Sequence, residues 1–239
     1  MKSSKEKGLF VIMAAVLLVT LACGTTDLST LLNEVITEIP AISDDATTPS
    51  AWYLDEFDTN LDHWSEFYMT EATDNEYEEE AEAHLSDGGL WFDINLIDTY
   101  IYLFNNLYEY DNVSIAAETK NTGVGASYIA LVCRYDSALG WYEFDISTTG
   151  DVTILRYSIA DENFTTIAEG TSDAINQGNA TNTFLGTCSG NELSLTINGE
   201  AWDTITDDTF SSGLIGVSAG SMDNLPVQVI FNWMEITQP

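Results

Sequence analysis

Basic residues are nearly absent from this chain. Six lysines and arginines face 39 aspartates and glutamates, for a formal net charge of −33. Lys2, Lys5 and Lys7 lie at the very start, so the remainder holds only Lys120, Arg134 and Arg156. A surface this acidic repels phosphate backbones, which excludes nucleic acid as a partner. Histidine is limited to His63 and His84, and neither stands at zinc-ligand spacing from a cysteine or from the other; no zinc site is expected from them. Nor does a histidine follow "GVSAG" at 216–220, although those residues match G-x-S-x-G. A nucleophile elbow needs a strand, a sharp turn and a helix, with its histidine later in the chain. Long apolar runs are missing too. The run from Leu9 to Val19 is too short to span a bilayer comfortably, and no sustained helical period or internal repeat occurs further on.

The abundant carboxylates have two uses. They suit hard cations, so Ca2+ is a candidate cofactor, and a solvated acidic shell keeps a surface protein soluble. The densest run, "TEATDNEYEEEAEAH" at 70–84, lacks the D-x-D-x-D-G spacing of a calcium loop and reads as a solvated loop between early strands.

The N-terminus has a basic start, an apolar run and small residues before a cysteine, the layout of a secretory signal. Its end, "VTLAC", resembles the lipobox of bacterial lipoproteins. Ala22 and Cys23 match, while Leu21 stands one place late and Thr20 takes the usual leucine position. The resemblance implies cleavage after residue 22, acylation of Cys23 and an extracytoplasmic protein held to the membrane by lipid rather than by a spanning helix. Residues 23–50 then read as a stalk: polar, turn-prone "GTTDLST" and "SDDATTPS" flank "LLNEVITEIP", which has helical spacing up to Pro40. Export permits a disulfide between the other two cysteines, Cys133 and Cys188. Two separate buried thiols are the alternative.

From 51 to 239 the pattern is one domain of short strands. Runs such as "GGLWFDINL", "YIALVCRYD", "WYEFDIS", "VTILRYSIA", "ELSLTING" and "VQVIFNWMEIT" are β-branched and aromatic, with Gly, Asn, Asp and Ser between them. That rhythm predicts an all-β sandwich of two antiparallel sheets.

The order of these segments resembles the concanavalin A-like jelly-roll domains of bacterial surface lipoproteins, which are laminin-G-like or glucanase-fold modules. The resemblance covers 51–239 and rests on an arginine-bearing strand, an aromatic strand with a glycine turn, "NELSLTING" and "GLIGV". It implies a lectin-like module that binds a glycan, a surface polymer or another surface protein. Glucanases of this fold carry E-x-D-x-x-E on one strand. Here "EFDIST" supplies Glu143 and Asp145 but places Thr148 at the last acid, and a retaining glycosidase needs both carboxyl groups. A weaker resemblance, to the 3-keto-disaccharide hydrolase domain family, would make Arg134, Glu143 and Asp145 catalytic candidates. Arg134, Gly140 and Glu143 match its elements, whereas the Asn-Ser-Gly before the arginine is replaced by "ASYIALVCR".

Strand alternation gives "LVCRYDSALGWYEFDISTTGDV" at 131–152 a geometry. Trp141, Glu143 and Asp145 share one face, and Tyr142, Phe144 and Ile146 share the other. Arg134 falls on a face with Tyr128, Ala130 and Val132, and Arg156 with Val152 and Ile154. Arginines among strands call for carboxylate partners, so Arg134 is expected to face Glu143 or Asp145. The candidate ligand-binding set is therefore Tyr128, Arg134, Trp141, Glu143, Asp145 and Arg156. Two readings stay open: a sugar platform on the concave sheet with Trp141 exposed, or an internal polar network in a structural or adhesion module.

Overall fold

The computed structural model describes residues 51–70 and 80–239. The signal, Cys23, the stalk and the acidic residues 71–79 lie outside them. Fifteen strands follow in order: β1 (Trp52–Asp55), β2 (Trp64–Thr70), β3 (Ala81–Ser86), β4 (Gly89–Ile94), β5 (Thr99–Tyr110), β6 (Val113–Asn121), β7 (Ser127–Asp136) and β8 (Gly140–Ser147). Then come β9 (Asp151–Ser158), β10 (Asn163–Thr171), β11 (Thr181–Ser189), β12 (Glu192–Ile197), β13 (Glu200–Thr206), β14 (Gly213–Ser221) and β15 (Val227–Thr237).

They form two antiparallel sheets. One has eight strands, in the order β13-β12-β11-β6-β15-β4-β3, with β1 also paired to β15. The other has seven, in the order β10-β9-β8-β7-β14-β5-β2. Neighbours distant in sequence, such as β11 beside β6 and β14 between β7 and β5, give a two-layer jelly-roll sandwich.

The core lies between the layers because each strand alternates. Phe92 and Ile94 of β4, Ile115 of β6, Phe184 of β11 and Phe231 of β15 point inward from one sheet. Leu131 of β7, Phe144 and Ile146 of β8, and Val217 of β14 meet them from the other. Cys133 on β7 and Cys188 on β11 are bridged, with Cα atoms 6.7 Å apart, so a covalent bond joins the two sheets.

Two expectations need correction. The segment 70–84 is not all loop, since Ala81–Ser86 is a strand. Ala81, Ala83 and Leu85 face the core while Glu82 and His84 alternate outward, and the acidic composition masked that period.

Arg134 does not face Glu143 or Asp145. The pairing of β7 with β8 jumps between Cys133 and Asp136, and Arg134 takes φ 57°, a left-handed conformation that turns the side chain out of the alternation. Its guanidinium donates to the carbonyls of Asp111 (2.8 Å), Gly190 (2.7 Å) and Phe210 (2.8 Å). A fully buried charge thus holds three turns together at one end of the sandwich, satisfied by backbone dipoles instead of carboxylates.

Candidate functional site

The outer face of the seven-stranded sheet collects the polar and aromatic residues that the core does not take. Register fixes the rows. Tyr102 of β5, Ser218 of β14, Ala130 of β7, Asp145 of β8 and Thr153 of β9 lie side by side across the sheet. On one side of this row come Phe104, Gly216, Val132, Glu143 and Leu155; on the other come Tyr100, Gly220, Tyr128 and Ser147.

Glycines let the large rings lie flat. A Cβ at Gly220 would stand 2.1 Å from a Tyr100 ring carbon, and one at Gly216 would stand 2.8 Å from a Phe104 ring carbon. β14 is therefore low, and its neighbours' rings cover its backbone. Tyr100 and Tyr128 flank Gly220 with ring centres 6.4 Å apart, both half-buried.

Beyond Glu143 the surface is filled with aromatics. Trp141 packs against Tyr157 at 4.3 Å, Tyr102 at 5.4 Å and Phe104 at 5.7 Å, and Tyr135 stacks on Phe104 at 3.7 Å. Trp141 is 0% exposed. Of the two readings left open by the sequence, the exposed tryptophan platform is not present: the indole belongs to a second, smaller core on the outer side of the sheet.

Glu143 sits at the border of that cluster. Its Oε2 accepts from Trp141 Nε1 at 2.8 Å and from Tyr102 OH at 3.1 Å. Burial pushes its carboxyl up to about 7, although these two hydrogen bonds favour the ionised form. Asp145, two residues on and on the same face, is 7% exposed. Burial first, and then the charge of Glu143, hold it well above the usual carboxylate range. Two carboxyl groups in one desolvated patch resist ionising together, so each makes the protonated form of the other more favourable. No hydrogen bond from another described residue reaches the Asp145 carboxyl, whereas Glu143 has two. The neighbours of Asp145 in its row (Ala130, Ser218 and Thr153) are small. The row thus sets an acid between Tyr100 and Tyr128 on one side and the Trp141 cluster on the other.

The other sequence candidates lie elsewhere. Arg134 caps the sandwich end, as described. Arg156 points to the inner side of its sheet and pairs with Asp207 at 2.6 Å, also donating to Thr209 Oγ1 at 2.6 Å. The Tyr142 hydroxyl donates to the same aspartate. Hydrogen bonds from Thr209 and Tyr142, together with the Arg156 charge, hold Asp207 below its usual range despite burial. Arg156 is thus a structural ion pair and not part of the outer face.

Thr148 follows the end of β8, and its hydroxyl accepts from Ser127 N at 3.0 Å. The next residue on the Glu143–Asp145 face is Ser147, which pairs with Thr149 Oγ1 at 2.7 Å. No third acid continues the row on β8. Ser218 of "GVSAG" lies in mid-strand and is buried, without the turn an elbow requires. Sequence reasoning missed Tyr100, Tyr102 and Ser218 as site residues. Their link to β8 runs through β14 and β5, a non-local pairing that no local spacing reveals.

No protein-family model matches the chain, and no curated protein sequence matches it significantly. Solved structures do resemble it. The carbohydrate binding module CBM66 from Bacillus subtilis superposes with a TM-score of 0.53 at 12% identity, over 71% of this chain and 91% of that one. A Bacillus licheniformis beta-glucanase gives 0.56 at 13%, over 80% and 100%. A Bacillus subtilis protein of unknown function with a galectin-like fold gives 0.57 at 10%, over 78% and 94%. At these identities the likeness establishes the fold, a concanavalin A-like jelly-roll sandwich.

Proposed function

We propose that the domain is a lectin-like, carbohydrate-binding module, tethered outside the cytoplasmic membrane through Cys23, whose ligand is a glycan or surface polymer held on the outer face of the seven-stranded sheet. The observation that carries this reading is Asp145. A carboxyl buried to this extent normally has protein partners. Here it has none among the described residues, and its neighbours in the row, Ala130 and Ser218, are small. In its protonated form it both donates to and accepts from a sugar hydroxyl, as a buried neutral acid can. Tyr100 and Tyr128 offer ring faces to the apolar side of a sugar, and a few polar groups among apolar walls are the usual make-up of a ligand recess. Carbohydrate binding by CBM66, a neighbour in fold, supports the reading.

Two competing readings meet specific observations. A glycoside-type hydrolase of the 3-keto-disaccharide kind would use Arg134 beside Glu143, but Arg134 is engaged by three carbonyls at the sandwich end. A purely structural or adhesion module is favoured by the complete burial of Trp141.

One experiment separates all three. The purified full chain is applied to a glycan array, and any hit is re-measured with variants. Binding should fall at least tenfold in Asp145→Ala and in Tyr128→Ala, and remain unchanged in Arg156→Gln. Absence of any glycan hit, or an unaffected Asp145→Ala, contradicts the proposal and favours the structural module. Release of product from ordinary or 3-keto disaccharides, abolished by Glu143→Gln, would replace it with the hydrolase.

A further inference from the structure

On the opposite side of the molecule, the outer face of the eight-stranded sheet, Glu82, His84 and Asp93 converge. We infer that they form a binding site for one divalent metal ion of the zinc class. The site is independent of the glycan face, and failure of either proposal leaves the other standing.

The hairpin of β3 and β4 builds it. Asp87 (φ 50°) and Gly88 (φ 74°) form a two-residue turn with both residues left-handed, the kind that matches strand twist and locks register. That register sets Glu82 opposite Asp93 and His84 opposite Trp91. Alternation then brings all four to one face. One potential ligand atom from each of Glu82, His84 and Asp93 lies within 4.8 Å of the other two.

Hydrogen bonding does not explain the cluster. His84 Nδ1 stands 3.6 Å from Glu82 Oε1 and 3.8 Å from Asp93 Oδ2. Both distances are too long for a bond. Nδ1 is nevertheless sealed from solvent and has no hydrogen-bond partner. A protonated Nδ1 would draw one carboxylate into contact, and a bare Nδ1 would turn its lone pair on two carboxylate oxygens. A cation held about 2.0–2.2 Å from each donor removes the conflict, because tetrahedral ligands at those lengths sit roughly 3.3–3.6 Å apart.

A second feature is independent of the cluster. Gln228 on β15, the register partner of Asp93, donates from Nε2 to Asp93 Oδ1 at 2.7 Å. The bond fixes the carboxylate so that Oδ2 is the oxygen nearest His84. Groups behind a ligating carboxylate orient it and raise metal affinity in this way.

The donor set selects the ion. An imidazole nitrogen with two carboxylates suits zinc and its first-row neighbours, whereas calcium and magnesium take oxygen donors. Three protein ligands leave a fourth position for water. The two carboxylates neutralise the ion, and the net charge of −33 enriches cations at the surface.

The test is calorimetric titration of Zn2+ into chelator-stripped full chain, with excess Mg2+ and Ca2+ present to occupy the general acidic surface. One equivalent should bind saturably, and Co2+ in its place should give the visible absorption of a low-coordinate site. His84→Ala and Asp93→Asn should abolish both signals, Gln228→Ala should weaken binding by about 10–100-fold, and His63→Ala should bind as the parent does. Far-UV circular dichroism of each variant without metal checks folding. In the parent, the His84 Nδ1 nitrogen resonance should move on Zn2+ addition, which needs no variant. No saturable equivalent above the Mg2+ background, or equal binding by a folded His84→Ala, overturns the inference.

Discussion

At the scale of single residues, the sheet's outer face is governed by two carboxyls that the fold keeps from water. Glu143 has its folded-state carboxyl raised from 4.5 to about 7 by burial. A raised acid favours folding while it stays protonated. That contribution is complete below the unfolded value, near pH 4.5, and is lost as pH rises through about 7. Denaturant unfolding between those limits should therefore show stability declining with pH. Glu143→Gln should reduce that slope by about one proton's worth, or about 1.4 kcal/mol per pH unit; identical slopes in both proteins would place Glu143 in contact with solvent. Asp207 has the opposite sign. Its lowered carboxyl favours folding above its unfolded value, and that contribution disappears as pH falls through the folded one.

The same scale shows where sequence reading stops. Alternation placed Trp141, Glu143 and Asp145 together, and they are together. It failed at Arg134 because one left-handed residue re-aims the side chain, and arginine carries no mark of that conformation. It also left open whether Trp141 was exposed or buried, because exposure depends on Tyr157, Tyr102 and Phe104, which arrive from other strands.

At the scale of elements, the sandwich was legible because the alternating runs between turn residues share one period, while strand order was not, because it rests on pairings such as β14 between β7 and β5. β3 shows how composition can hide a period: Ala81, Ala83 and Leu85 form a core row, but small and weakly apolar residues among glutamates read as loop. The bridge between β7 and β11 closes a separation of 55 residues. Loop-closure entropy predicts that the Cys133→Ser, Cys188→Ser double variant loses roughly 4 kcal/mol. A thermal midpoint lower by several degrees is expected by calorimetry, matched by the parent under reductant. An unchanged midpoint would mean that packing between the sheets alone sets stability.

At the scale of the whole molecule, net charge bears on the proposed tether. A chain this acidic is repelled by anionic headgroups, so the membrane attachment proposed above would rest on the lipid at Cys23 rather than on surface charge. Among the described residues no helix is long and apolar enough to cross a bilayer. Cells fed an alkynyl fatty acid should yield a labelled protein in the membrane fraction, and Cys23→Ala should remove the label. Label retained by Cys23→Ala would contradict lipidation at that residue.

The location of the ligand is the claim on which the functional account turns. Amide hydrogen exchange of the full chain, with and without a saturating array-selected glycan, reads it strand by strand. Slower exchange concentrated in β7, β8 and β14 around Ala130, Asp145 and Ser218 is the predicted result. Protection confined to the eight-stranded sheet or to the turns at the sandwich ends would contradict it.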